Sequence, residues 1–156
     1  MVSISGGDDM EPTYSTPAAA KAWAKGYSET TESPEVDYGS ADGCPEKTHI
    51  HKSADEKCIP EHVDGDWTQK VEYQLSWEIR GDNPLPEIYY NPKGTPVNAE
   101  QWAEIDFWGE SRMHFLGDLS QAGFGESDSA TESWDQLKEV LEKDGLNDEL
   151  DYSTEI

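Results

Sequence analysis

Apolar residues are sparse along the chain and gather into short periodic blocks separated by polar and glycine-rich stretches. The clearest block is VEYQLSWEI, Val71–Ile79. Val71, Tyr73, Leu75, Trp77 and Ile79 alternate with Glu72, Gln74, Ser76 and Glu78, a period of two that predicts a strand. After the break RGDNP, Leu85–Tyr90 (LPEIYY) reads as a second strand or an ordered loop. The break is too short for a parallel crossover, so a hairpin is expected if both segments are strands. Val36–Tyr38 predicts a short strand ending at Gly39, and Arg112–Leu119 another.

Three blocks carry helical spacing. Ser15-Thr16-Pro17 followed by AAAKAWAKG has a hydroxyl to cap it, proline in its first turn and Gly26 to end it, with Trp23 as its docking ring. Asn98 with Gln101 forms a capping-box pair before the stripe Trp102, Ile105, Trp108, which Gly109 stops. Ser133 is placed to cap a last helix with Trp134, Leu137, Val140 and Leu141 as its apolar face and Gly145 at its end. Residues 1–13 read as a flexible tail, 28–34 as linker, 14–145 as a single domain and 146–156 as an acidic tail. The order of helices and strands predicts an α/β class: a small open sheet with flanking helices, or part of a β/α barrel, with a long loop over 39–66 and disordered ends.

Length and composition fit one domain. The chain has 156 residues, 34% apolar, with a mean hydropathy of −0.85. Six Trp, seven Tyr and three Phe supply the burial that aliphatic residues do not. Acids outnumber bases 34 to 11, for a formal charge of −23, which argues against nucleic acid and anionic membrane as partners and favours cations. A salt-rich habitat fits the charge but not the bases, nine of the eleven being lysine. No apolar run reaches the length of a spanning helix, and MVSISGGDDMEP has no signal-peptide pattern, so a cytoplasmic location stays open.

The chemistry-bearing residues crowd into Asp37–His62. This stretch holds both cysteines, Cys44 and Cys58, and three of the four histidines, His49, His51 and His62. These are ligand types zinc accepts, but the spacing matches no standard finger. A disulfide and free thiols are the competing readings. EHVDGDW lacks the spacing of a calcium loop, and no nucleophile elbow, phosphate loop or HExxH is present.

Taken together and in order, VDYGSADGCP, DWTQKVEYQLSWEI, PLPEIYY, NAEQWAEI and RMHFLGDLSQ resemble the C-terminal part of secreted, mostly actinobacterial proteins of unknown function. Those proteins have a glycoside-hydrolase-like β/α barrel of lysozyme type. The resemblance spans roughly residues 35–145 and implies strands aimed at a shared site, export, and a Cys44–Cys58 disulfide. The missing signal peptide and a strand count near half a barrel depart from the pattern, so a truncated barrel is expected. Glycoside hydrolysis needs two carboxyls roughly 5–10 Å apart. Asp37, at a strand end, and Glu87, in an aromatic setting, lie in the stretches that carry the resemblance and are the expected acid–base pair. Glu78 and Asp118 are further candidates for contacts with substrate, and Trp77 and Tyr89 for a sugar platform, whereas Trp102 and Trp134 fit the core. With so many acids, solvated surface charge is the competing reading for each. The expected activity is action on, or binding of, cell-wall-type polysaccharide without a cofactor. The alternatives are a non-catalytic interaction domain with a stapled loop, or a small zinc protein.

Overall fold

The computed structural model describes residues 6–12, 15–46, 54–59, 66–79, 82–89, 94–121, 128–146, 150 and 152–155, of which 82 and 152–155 are described in backbone only. Its strands are β1 (Gly6–Asp8), β2 (Glu35–Asp37), β3 (Asp82–Pro84), β4 (Gly117–Ser120) and β5 (Tyr152–Glu155). Its helices are α1 (Pro17–Thr30), α2 (Gln69–Tyr73) continued by a π-helical turn over Gln74–Glu78, α3 (Val97–Trp108) and α4 (Ala130–Lys143). The strands β1-β2-β3 pair in that order, and β4 pairs with β5, all parallel.

Among the described residues a single isolated bridge links the two sheets. Past Pro84 the chain stays extended, and Glu87 bridges Leu119 of β4 in parallel. Leu119 donates to the Pro86 carbonyl at 2.9 Å and Ile88 to that of Leu119 at 2.8 Å. Chain order therefore equals spatial order, with a helix between successive strands. This is the α/β open sheet with flanking helices that was expected, and it has the winding of a barrel segment. Contacts run from α1 to the π-helical turn, from α2 to α3 and from α3 to α4, as in a single helical layer. Trp67, Trp102, Phe115, Ile88, Ile105 and Leu137 fill the core.

The strand expected over Val71–Ile79 is instead α2 and the π-helical turn. Thr68 supplies the cap, its side chain accepting from the Val71 N–H. Glu72 and Ser76, placed on the solvent side by strand alternation, are both fully buried. Their i, i+4 spacing puts them on one helical face. The Ile79 N–H reaches back to the Gln74 carbonyl at 3.1 Å, closing the wider π turn. The hairpin reading falls with that strand, because a helix enters β3 without a crossover problem.

Both ends take part in the sheet. Within the expected tail 1–13, Gly6–Asp8 form an edge strand and Met10 and Glu11 are buried. Within 146–156, Leu146 and Leu150 are buried and the backbone of Tyr152–Glu155 pairs with β4. Helix α1 runs through Gly26 into the presumed linker, and it docks through Ala20 and Ala24. Trp23 stays 47% exposed and stacks on Tyr27. Helix α3 starts after Pro96, so Asn98 lies inside it, accepting from the Tyr89 N–H at 3.4 Å and thereby tying β3's extension to α3. Ser129, not Ser133, caps α4, in a capping box with Glu132.

Gly39 is where the N-terminal segment closes on β2. A Cβ there would sit 2.6 Å from the Met10 carbonyl oxygen, a contact with backbone that no rotamer change relieves. Gly39→Ala is expected to destabilise the fold by roughly 1–3 kcal/mol, as overpacking does. Urea denaturation measures this; an unchanged midpoint would mean that the Met10 segment does not hold its place against β2.

Candidate active site

The carboxyls collect at the C-terminal ends of the parallel strands, where β/α folds place their chemistry. Asp8 ends β1, with Asp9 and Glu11 just beyond it; Asp37 ends β2, and Glu87 lies past β3. They divide between the two faces of the sheet. Asp37 pairs in register with Pro84, so both point to one face. Buried Pro84, Pro86 and Ile88 alternate with half-buried Leu85, Glu87 and Tyr89. Asp37 therefore faces the helices, and Glu87 faces the other way.

On the helical side Asp37 is only 2% exposed. Its Oδ2 accepts from Ser76 Oγ at 2.6 Å, and its Oδ1 from the Gly39 N–H at 3.1 Å. Burial pushes its pKa up to about 6, against the Ser76, Gly39 and Met10 hydrogen bonds that favour the anion. Beside it, burial and then the charges of Asp37 and Glu35 push Asp8 up to about 8. The Glu35 carboxyl beside Asp8 adds to that rise. Glu72 rises well above the ordinary range through complete burial and then the charges of Asp37 and Glu11.

On the opposite side burial, and then the charge of Asp9, push Glu87 up to about 7, although a hydrogen bond from Tyr89 pulls the other way. The Tyr89 phenol is itself pushed up by burial and by Glu87. Tyr38 lies on this same face, packed over Gly7, where a Cβ would meet its ring at 3.0 Å. Glu11 accepts from both the N–H and the hydroxyl of Ser40 and joins the two sides of the rim. Asp9 is exposed, and burial and Glu11 raise its pKa.

The structure thus keeps Glu87 and Tyr89 together and separates the other expected site residues from them. Trp77 sits in the helical layer, donating from Nε1 to Ser111 Oγ at 3.0 Å. Glu78 lines a cavity of about 180 Å³ with Gln69, Lys70, Tyr73 and Trp108, between α2 and α3. Asp118 is fully buried under α4, where Ser133 donates to it, and burial pushes it up to about 6. Cys44 and Cys58 form a disulfide. His49, His51 and His62 lie outside the described residues. Asp8, Asp9, Glu11 and Glu72 were missed, the first three because no apolar periodicity marks β1.

No family model matches the chain, and no curated protein or solved structure matches it. Among the described residues no helix is long and apolar enough to cross a membrane.

The raised carboxyls fix the direction of pH dependence. Unfolded Asp and Glu titrate near 4, whereas the native groups hold their protons to about 6 for Asp37, about 7 for Glu87 and about 8 for Asp8. Over that window the native state binds more protons than the unfolded state, so stability falls as pH rises from about 4 to about 8. The melting temperature is expected to be higher at pH 5 than at pH 8. Asp8→Asn, which fixes the neutral form, should flatten that slope. A melting temperature that climbs from pH 5 to pH 8 would contradict the arrangement.

Proposed function

We propose that the rim carrying Glu87 is a glycoside-hydrolase-like centre that acts on cell-wall-type polysaccharide. The observation that carries the reading is a half-buried carboxyl, pushed up to about 7 at the end of a parallel strand, with a tyrosine bonded to it and a second, solvent-facing carboxylate close enough to perturb it. Such a group keeps a proton near neutrality and can deliver it to a leaving glycosidic oxygen. Asp9 is the second carboxylate, serving as base or nucleophile. Asp37, expected for that role, is sealed beneath Ser76 and positions the β2 end instead. Tyr38 and Tyr89, on the same face as Glu87, offer aromatic surface to a sugar ring. Trp77 is replaced in that role by Tyr38. The Cys44–Cys58 bridge fits an oxidising, extracellular setting, which agrees with this substrate class.

Glu87→Gln removes the proton and keeps the shape, so turnover of peptidoglycan or chitin should fall by about 10²–10⁴-fold. In the unsubstituted protein kcat/KM should decline above pH 7, where Glu87 loses its proton. Turnover that Glu87→Gln leaves intact eliminates the centre. If the unsubstituted protein binds these polymers without cleaving them, the non-catalytic binding domain is the correct reading.

A further inference from the structure

The Glu72 carboxyl is one of several buried polar groups without a hydrogen-bond partner among the described residues. It is 0% exposed, and neither of its oxygens has a hydrogen-bond partner. It does not face an apolar wall: one of its oxygens and the sulfurs of Cys44 and Cys58 all lie within 4.8 Å of one another, and all three residues are buried. Burying a carboxyl with nothing to bond costs several kcal/mol in general. Protonation lowers that cost, and a cation brought to the carboxyl would remove it.

We propose that the Cys44–Cys58 disulfide is one state of a redox-gated zinc site, in which reduction frees two thiolates that bind the metal together with Glu72. The exchange is balanced by a dithiol. It gives up two electrons and two protons, the sulfur–sulfur bond breaks to leave two thiols, and the dithiol departs as its own cyclic disulfide. Two thiolates and a carboxylate are three ligands of types that zinc takes, with the fourth position left to water. The metal then satisfies the orphaned carboxylate, and the strongly negative chain raises the local concentration of cations. The main chain holds this geometry on several sides. Cys58 N–H donates to the Trp67 carbonyl at 3.0 Å, Ile59 N–H to that of Gly43 at 2.7 Å, and the Gln101 side chain to that of Cys44 at 3.0 Å. Helix α2 carries Glu72, capped by Thr68, whose bridge to Lys57 ties it to the Cys58 strand of the loop. This site is separate from the Glu87 rim and does not depend on the polysaccharide reading.

The full chain, reduced with dithiothreitol and freed of it without oxygen, is titrated with cobalt(II) and with zinc(II). One equivalent of cobalt should give a thiolate-to-cobalt charge-transfer band, and the oxidised chain should give none. Calorimetry of zinc uptake in buffers of different ionisation enthalpy should show protons released on binding near pH 7, because thiols must deprotonate to ligate the metal. Glu72→Gln should weaken zinc at least about tenfold, since even outer-shell changes cost that much. Absence of the band in the reduced chain overturns the proposal. So does zinc uptake by the reduced, unsubstituted chain that releases no protons, a readout that stands whether or not Glu72→Gln folds.

Discussion

A carboxylate moved out of water must be bonded, matched by a cation or protonated, and the C-terminal rim of this sheet is organised by that demand. Asp37 is its centre. Its carboxyl takes hydrogen bonds from Ser76 on the π-helical turn, from Gly39, and from Met10 beyond β1. Its main-chain carbonyl accepts from Leu85 beyond β3 at 2.8 Å. One residue therefore connects three successive strands and the helical layer behind them. A side chain so occupied organises a site better than it reacts in one. The carboxyls open to solvent are instead those of half-buried Glu87 and exposed Asp9.

The π-helical turn follows from the same demand. A regular α-helix rotates 100° per residue, and the wider turn over Gln74–Glu78 changes which residues meet the sheet. Ser76 arrives at Asp37, while Trp77 is turned outward to bond Ser111. The cost of the irregular turn is offset by satisfying a buried carboxylate that would otherwise lack its strongest donor.

The parts of the fold that were legible in the sequence are those where local and tertiary forces agree. Trp102, Ile105, Leu137, Val140 and Leu141 show helical spacing and bury as that spacing implies. Val36–Asp37 and the run to Leu119 read as extended and pair as strands. Val71–Ile79 misled because its large residues alternate, yet a helix packed on most of its circumference buries such a set equally well. The signal against a strand was polar: Glu72 and Ser76, four apart, both fully buried. The edge strand Gly6–Asp8 had no apolar alternation to show, because its packing comes from neighbours, Tyr27 over Gly6 and Tyr38 over Gly7. Glu87 was singled out for its aromatic setting, and burial followed by the charge of Asp9 raises its pKa; Asp9 itself lies in a segment that composition alone assigns to a tail.

The formal charge of −23 overstates the charge of the native protein near neutrality. Asp8, pushed to about 8, keeps its proton at pH 7, Glu87, at about 7, keeps its proton about half the time, and burial shifts Glu72 in the same direction. These neutral acids all lie at one end of the sheet. The surface acids repel one another through water, where screening is strong. Those at the rim interact across a poorly screened interior and avoid repulsion by holding protons instead. A cation brought to any of these carboxyls would displace its proton. The Cys44–Cys58 disulfide lies beside Glu72 in the interior rather than on the outer surface.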